Sequence, residues 1–290
     1  KELLFLDVSS AFYGLLREEQ DFEAIRGIHI LLQERVKELK EREEIGRSRP
    51  SEVATAQARI KILEAEWARV AGTRAVARHL LEFLTGISLE GRGLKEEDLP
   101  APLSPEMPFY LEDIEVRSDV EAARQSMKTA WRGVVVAQSG FWPDISLEHI
   151  QYERREGFQS NLDWDLLFKI NVPLFQGGEI IGSVKRAVSL WKKEKLAYSE
   201  IRREAELEAK QGFDEWRASL NRDRAFIEAV KASEENFRLQ KEEYERSLVN
   251  NLDVLEALES LLETRRDANE AHYEMKQNYW RLLVAAGELP

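Results

Sequence analysis

Cysteine is missing altogether from these 290 residues, which leaves the redox compartment open. No stretch approaches 18 consecutive apolar residues, so a transmembrane helix is excluded and a soluble chain or a β-barrel remains. The basic surplus that a phosphate backbone demands is also lacking. Net charge is −12 with 33% of residues charged, and nucleic acid is not an expected partner. The four histidines, His29, His79, His149 and His272, stand apart without an H-x-x-x-H or similar spacing. Each therefore reads as a solvated or packed side chain rather than a metal ligand. There is no nucleophile elbow, phosphate-cradling loop or triad spacing, so no enzyme and no cofactor is expected. A leader peptide is absent too, yet the chain opens at Lys1 inside a helical pattern, and its true start is expected to lie upstream.

What is present centres on residues 161–178. At a period of two, Leu162, Trp164, Leu166, Phe168, Ile170, Val172 and Leu174 fall on one face. Asn161, Asp163, Asp165, Lys169 and Asn171 fall on the other, with Leu167 the apolar exception. Both a soluble sandwich and a membrane barrel produce such a ribbon. A strand over 162–174 would run about 40 Å and, tilted, still cross the ~25 Å apolar band of an outer membrane. Residues 145–153 form a weaker strand pattern, and Arg154, Arg155, Glu156 and Gly157 supply a polar turn, so the pair reads as a β-hairpin.

The rest is helical. One helix is expected over 3–46 and a second from Pro50 or Ser51 to Gly86, separated by a break at 46–51. In the second, Val53, Ile60, Trp67, Arg74 and Leu81 form one heptad row, and Ala56, Leu63, Val70, Ala77 and Leu84 the other. Such a seam predicts coiled-coil packing, with Arg74 as its one polar interruption. Residues 87–112, broken by Gly91, Gly93, Pro100, Pro102, Pro105 and Pro108, read as an irregular surface crossing. A third helix should begin at Ser118 or Asp119 and end before Trp142-Pro143. A fourth runs over 179–248, on the order of 105 Å, and a last one over 252–286, closed by Gly287. A helix that long belongs to a coiled coil or a tube.

Sliding the chain on itself by 201 residues aligns 3–89 with 204–290 without a gap. Phe12 falls on Phe213, Ala24 on Ala225, Val53 on Val254, Ala56 on Ala257, Leu81 on Leu282 and Gly86 on Gly287. Both interhelical breaks coincide, with Glu52 opposite Asp253. This reads as a duplicated unit. The second copy is complete over 115–290, whereas the first, over 1–89, lacks about 85 residues that would carry its own helix and β-hairpin. Residues 90–114 connect the two.

Several short signatures lie in order along this duplication. Arg117-Ser118-Asp119-Val120 opens a helix, and Ser139-Gly140-Phe141-Trp142-Pro143-Asp144 leads into the hairpin. Pro173-Leu174-Phe175-x-Gly-Gly leaves it, and Ser247, five residues, then Asp253-Val254-Leu255-Glu256-Ala257 span the second helical turn. In this order they resemble the TolC family of outer-membrane efflux proteins, over nearly the whole chain. The resemblance implies a mainly α fold with a β-hairpin. It also implies a homotrimer whose helices form an α-barrel continued into a shared membrane β-barrel, in the outer membrane of a Gram-negative-type bacterium. The implied role is a passive exit duct for tripartite efflux or type I secretion, partnered by outer-membrane lipid, a periplasmic adaptor and an inner-membrane pump. Two departures stand out: Ser247 replaces the usual glycine, which Gly46 keeps in the first copy, and the first hairpin is absent.

The same resemblance assigns Asp253 and Glu256, with Glu52 as counterpart, to a periplasmic gate. Acids in a first helical turn are also simply favourable there. Three-fold symmetry would gather them, and two carboxylates about 6 Å apart repel by roughly 3 kcal/mol at an effective dielectric near 20. The turns Gly46, Arg47, Ser48 and Ser247, Leu248, Val249, Asn250 become adaptor-docking tips, since Leu248 and Val249 are apolar at an exposed position. Trp142 and Trp164, near the ends of the hairpin, read either as ordinary core or as interfacial aromatics at a membrane edge, the second being preferred. The competing reading is a soluble coiled-coil structural or interaction protein with no transport role, which would have no need of the 161–175 strand.

Overall fold

The computed structural model describes residues 2–96, 99, 106–154, 157–158 and 162–288. Asn161, Arg155, Glu156 and most of the proline cluster of the surface crossing lie outside these residues. Among the described residues the helices and strands are, in order, α1 (Glu2–Glu44), α2 (Pro50–Thr85), α3 (Phe109–Glu112), α4 (Ser118–Ser139), β1 (Asp144–Gln151), β2 (Trp164–Asn171), α5 (Glu179–Glu245) and α6 (Asn251–Ala286). A 3-10 turn, Ile114–Val116, precedes α4. Helix α3 lies in the stretch read as irregular, and the turn follows it. Ser118 proves to be the first helical residue of α4, with Arg117 in the cap position.

Two compact units result. One comprises Lys1–Leu111 with Glu208–Pro290, the other Glu112–Leu207. Helix α5 contributes to both.

In the first unit α1 and α2 form an antiparallel hairpin. Leu15 packs on Leu81 at one end, and Leu39, Val53 and Ala56 meet at the other. The ten heptad positions of α2 behave as the sequence predicts. Val53, Ala56, Leu63, Val70 and Leu81 are buried, while Ile60, Trp67, Ala77 and Leu84 pack partly against the core. Arg74 is accommodated without burying its charge: its guanidinium lies 4.1 Å from the Phe22 ring centroid. Val254, Leu255, Leu258 and Leu261 of α6 complete the same core. Each fully buried leucine contributes about 1.5–3 kcal/mol.

Further along α5 and α6, Phe213 and Trp216 pack with Tyr279, Leu282 and Ala286, and Tyr110 of α3 seals the group. Here α5 and α6 touch closely at Gly212, where a Cβ would lie 3.3 Å from Leu282 Cα. Helix α1 joins α6 through Tyr13, Leu16 and Tyr273. Trp280 Nε1–H donates to Tyr13 Oη at 3.0 Å.

In the second unit Ile114, Val120, Ala123 and Val134 are buried. Glu115 ties the 3-10 turn to both long helices, accepting from Arg124 of α4 and, on α5, from Tyr198 Oη at 3.0 Å and Arg202 Nε at 2.6 Å. Trp131 and Trp191 pack ring to ring at 5.1 Å.

Strands β1 and β2 pair antiparallel, with Asp144 opposite Asn171 and Gln151 opposite Trp164. β2 is shorter than the expected 162–174. The next hydrogen-bonded pair beyond Asp144 and Asn171 would set Pro173, which has no N–H to donate, against Trp142, whose N–H already donates to Ser139 O at 2.9 Å. Of the seven residues expected on the lipid-facing strand, Trp164, Leu166, Phe168 and Ile170 lie in β2. Leu162, Val172 and Leu174 are exposed but outside it.

Candidate functional site: helical tips and a bare ribbon

The two tips, one after α1 and one after α5, use the same hydrogen bonds. Gly46 N–H donates to Glu43 O at 2.9 Å and Arg47 N–H to Arg42 O at 2.7 Å. At the second tip Ser247 N–H donates to Tyr244 O at 2.9 Å and Leu248 N–H to Glu243 O at 2.9 Å. This is the paired closure that satisfies the last carbonyls of a helix and needs a left-handed residue. Gly46 supplies it at φ +72, and Ser247 at φ +59 is the one non-glycine residue with positive φ among those described.

The helices leaving the tips start differently. Asn250 caps α6, its side chain accepting from Leu252 N–H at 2.7 Å and Asp253 N–H at 3.2 Å. Asp253 answers by accepting from Asn250 N–H at 2.8 Å, a reciprocal capping box. Helix α2 has Arg49 in the cap position with no side-chain cap, though Ser48 Oγ donates to Glu52 at 2.8 Å. Glu52 and Asp253 are thus partly covered and engaged in local bonds, whereas Glu256 is exposed.

Leu248 is 70% exposed, as an apolar docking residue would be. Val249 differs from expectation: it is partly buried and packs against the core. Ile45, which the sequence reading passed over, is 66% exposed beside Gly46. The base of the second tip is fastened to α1. Arg35 Nε donates to Asn251 Oδ1 at 2.9 Å and its guanidinium lies 3.7 Å over the Tyr244 ring, with Arg42 4.7 Å from the same ring. Buried Arg35 and Asn251 gave no periodic signal, since cation–π stacking leaves no spacing in a sequence.

The second feature is the ribbon. Directly opposed residues of an antiparallel pair share a face. Ile145, Leu147, His149 and Gln151 therefore stand beside Ile170, Phe168, Leu166 and Trp164. Every apolar member of that face is more than half exposed, from 56% at Leu166 to 65% at Leu147. The opposite face carries Asp144, Ser146, Glu148, Ile150, Asp165, Leu167, Lys169 and Asn171. It is knit by Lys169 Nζ to Glu148 at 2.6 Å and Tyr152 Oη to Asp165 at 3.1 Å. Trp142 is 72% exposed at the foot of the ribbon. An isolated two-stranded hairpin with an uncovered apolar face is not stable in water, and both its edges invite further strands.

Among the other candidates, His29 is buried with Nε2 3.6 Å from Glu64, and His79 Nδ1 lies 3.4 Å from Glu82. His149 lies against Trp164, ring centroids 5.8 Å apart. His272 is held between two carboxylates. Among the described residues no group of three or more acids and histidines could hold a metal ion, and no helix is long and apolar enough to cross a membrane.

Helical hairpins with ordered tips, joined to a ribbon that presents a bare apolar face, define a class: subunits of outer-membrane channels. Residues 112–288 match the family described as outer membrane efflux protein, and the chain belongs to that family. Its members are channels of the outer membrane, not enzymes. Over 296 residues the chain is 22% identical to the alkaline protease secretion protein AprF of Pseudomonas aeruginosa, covering 99% of this chain and 62% of that one. With the outer membrane protein TolC of Vibrio cholerae it shares 23% identity, over 99% of this chain and 68% of that one. The crystal structure of VceC from Vibrio cholerae superposes with a TM-score of 0.81 at 23% identity, over 99% of this chain and 70% of that one. The chain thus spans about two thirds of the length of the relatives it matches.

Proposed function

We propose that this protein is the passive outer-membrane exit duct of a tripartite efflux or type I secretion system, acting as a homotrimer with a periplasmic adaptor and an inner-membrane pump. The observation that carries the reading is the ribbon. Its exposed apolar face suits lipid, its charged face suits a water-filled lumen, and its unpaired edges suit closure with neighbouring strands. A coiled-coil scaffold, the rival reading, has no use for such a face.

The helical region supports a duplicated unit. Val53 and Val254, Ala56 and Ala257, Val70 and Ala271, and Leu81 and Leu282 are 201 positions apart and equally buried. Gly86 and Gly287 both close their helices in the left-handed conformation. A curved layer built from two such hairpins per subunit needs sister subunits to become a tube. In that tube Asp253, Glu256 and Glu52 form the periplasmic gate, three copies of each converging so that mutual repulsion poises the aperture to open. Asp253 has a second duty as a helix cap, which positions its carboxylate. Gly46, Arg47, Ser48, Ser247, Leu248 and Asn250 form the docking tips, with exposed Leu248 as the apolar contact for the adaptor and Val249 anchoring the second tip to the core. AprF is described as a secretion protein, so protein export stands beside efflux as the cargo class.

Single-channel recording from the full-length protein in planar bilayers tests both parts. A stable pore is expected, with conductance rising in Asp253→Ala and Glu256→Ala. Unchanged conductance removes the gate assignment, and recovery of the protein in the aqueous fraction without detergent removes the duct.

A further inference from the structure

The stretches of α4 and α5 next to the ribbon differ in charge from the rest of this acidic chain. Residues 125–139 of α4 carry Lys128 and Arg132 and no acid, and residues 180–199 of α5 carry five cations against the single acid Glu194. Farther along α5, charges at helical spacing pair, as Arg238 does with Glu235 at 2.7 Å and with Glu242. Here the spacing sets like against like. Lys128 and Arg132 are four apart and Lys192 and Lys195 three apart, arrangements that repel across one helix face. Lys193 has its chain neighbour Glu194 at 4.0 Å. Lys128, Arg132, Lys185, Arg186, Lys192 and Lys195 have no acid in ion-pair range among the described residues.

Three of these cations rim an aromatic groove. Met127, Lys128, Trp131 and Arg132 of α4, with Trp191 and Lys195 of α5, line about 520 Å³. The two indoles pack 5.1 Å apart at 59°, and Lys195 Nζ lies 5.6 Å from the Trp191 ring centroid. Trp131 keeps half of its surface open. A flat apolar floor with a cationic rim complements a ring that is apolar on its face and anionic at its edge.

We propose that this groove binds a carboxylate-bearing glycan in the space beneath the outer membrane. Its sugar rings stack on Trp131 and Trp191, and its carboxylates meet Lys128, Arg132 and Lys195. Other anions fit less well. Trp131 precedes Ser139 by eight residues and Trp191 follows Glu179 by twelve, about 12 and 18 Å from the ribbon ends of their helices. With the apolar face of the ribbon in hydrocarbon, a phospholipid headgroup layer of roughly 5–7 Å stops short of both indoles. An acidic peptide docks as an added strand or as a helix with anchors at i, i+3, i+4 and i+7. Helix faces offer no strand edge, and Met127 with two indoles is too short a row for such a helix. The inference uses the outer-membrane location but neither the duct, the gate nor the trimer, so pore formation and glycan binding succeed or fail separately.

Equilibrium binding of soluble peptidoglycan fragments, glycan strands with carboxylate-bearing stems, to the full-length protein in neutral detergent tests the groove. The fragments should bind the parent, and neutral dextran should not compete. Amidating their carboxyls should weaken binding about tenfold, as should combining Lys128→Gln, Arg132→Gln and Lys195→Gln. Trp131→Ala should weaken it by about the same factor. Absence of binding to the parent would overturn the proposal whatever the variants do, and so would equal affinity for amidated fragments. Tighter binding of polyglutamate or of a short-chain phosphatidylglycerol, compared per charge, would overturn it in favour of an acidic peptide or a lipid.

Discussion

Ser247 repeats the left-handed backbone of Gly46 at a distance of 201 residues, with φ +59 against +72 and matching hydrogen bonds at both helix ends. A Cβ in that conformation costs about 1–2 kcal/mol, partly offset because serine loses less backbone entropy on folding than glycine. Ser247→Gly should therefore stabilise the protein by roughly 0.5–1 kcal/mol, and Gly46→Ala should destabilise it by about 1 kcal/mol. Denaturant titration of both variants beside the parent measures the pair. A Ser247→Gly variant less stable than the parent would show that the hydroxyl, not the backbone, decides this tip.

The starts of α2 and α6 make a second matched pair. Arg49 occupies an extended cap position with no side-chain bond, while Asn250 satisfies two N–H groups. Arg49→Asp should add about 0.5–1 kcal/mol, and Asn250→Ala should remove about 1 kcal/mol. The second substitution also frees Asp253 from its capping box; if Asp253 belongs to the proposed gate, channel recordings of Asn250→Ala should show a noisier closed state as well as lower stability.

Much of this was legible in the sequence, for local reasons. The α2 seam is read from spacing alone, because coiled-coil packing imposes a period on the chain. Even Arg74 conforms, its long stem lying over Phe22. The tips were legible because the left-handed position is marked by Gly46 and by the offset that leads to Ser247. What escaped was set by tertiary contact. The end of β2 at Asn171 depends on the next bonded pair, where Pro173 has no N–H and Trp142 has turned its own to Ser139, not on the alternation of 162–174 itself. Val249 looked like a docking residue but finds core, and His272 looked isolated because Asp223 and Glu96 lie 49 and 176 positions away.

Gly212 marks a close approach of α5 and α6. A methyl group there would press on Leu282 Cα, a backbone atom that cannot swing aside. Gly212→Val should cost roughly 1–3 kcal/mol through overpacking, despite the poor helix propensity of the glycine it replaces. Thermal unfolding followed by circular dichroism reads the loss. A neutral outcome would mean that the two helices can part without disturbing the Phe213 and Tyr279 cluster.

Glu96 sets an acid limit on the bundle. Burial raises its carboxyl, but donors from Lys276 and His272 outweigh that and hold it below the usual range. A depressed folded value means that the native state binds the proton less readily than the unfolded chain does. The stabilisation is therefore present above the unfolded value of about 4.3 and is lost as pH falls through the lower folded value. Glu96→Gln should cost roughly 1–3 kcal/mol near neutrality, since Lys276 stays buried without its counter-ion. It should also flatten the loss of stability below about pH 4. Urea titrations across pH give both readings, and an acid limb unchanged by the substitution would assign it to other carboxylates.

The ribbon offers the sharpest contrast between two neighbouring positions. Phe168 stands on the bare apolar face opposite Leu147, and Leu167 on the charged face opposite Glu148. If the first face meets lipid, Phe168→Arg should cost about 2–4 kcal/mol towards the bilayer midplane, falling to about 0–1 at its edge. Leu167→Gln, on the face turned to water, should leave insertion unchanged. Folding of each full-length variant into phospholipid vesicles, followed by urea titration, compares the two directly. Equal loss from both would mean that protein rather than lipid and water covers the ribbon, because only a difference in solvent between the faces makes these adjacent residues unequal.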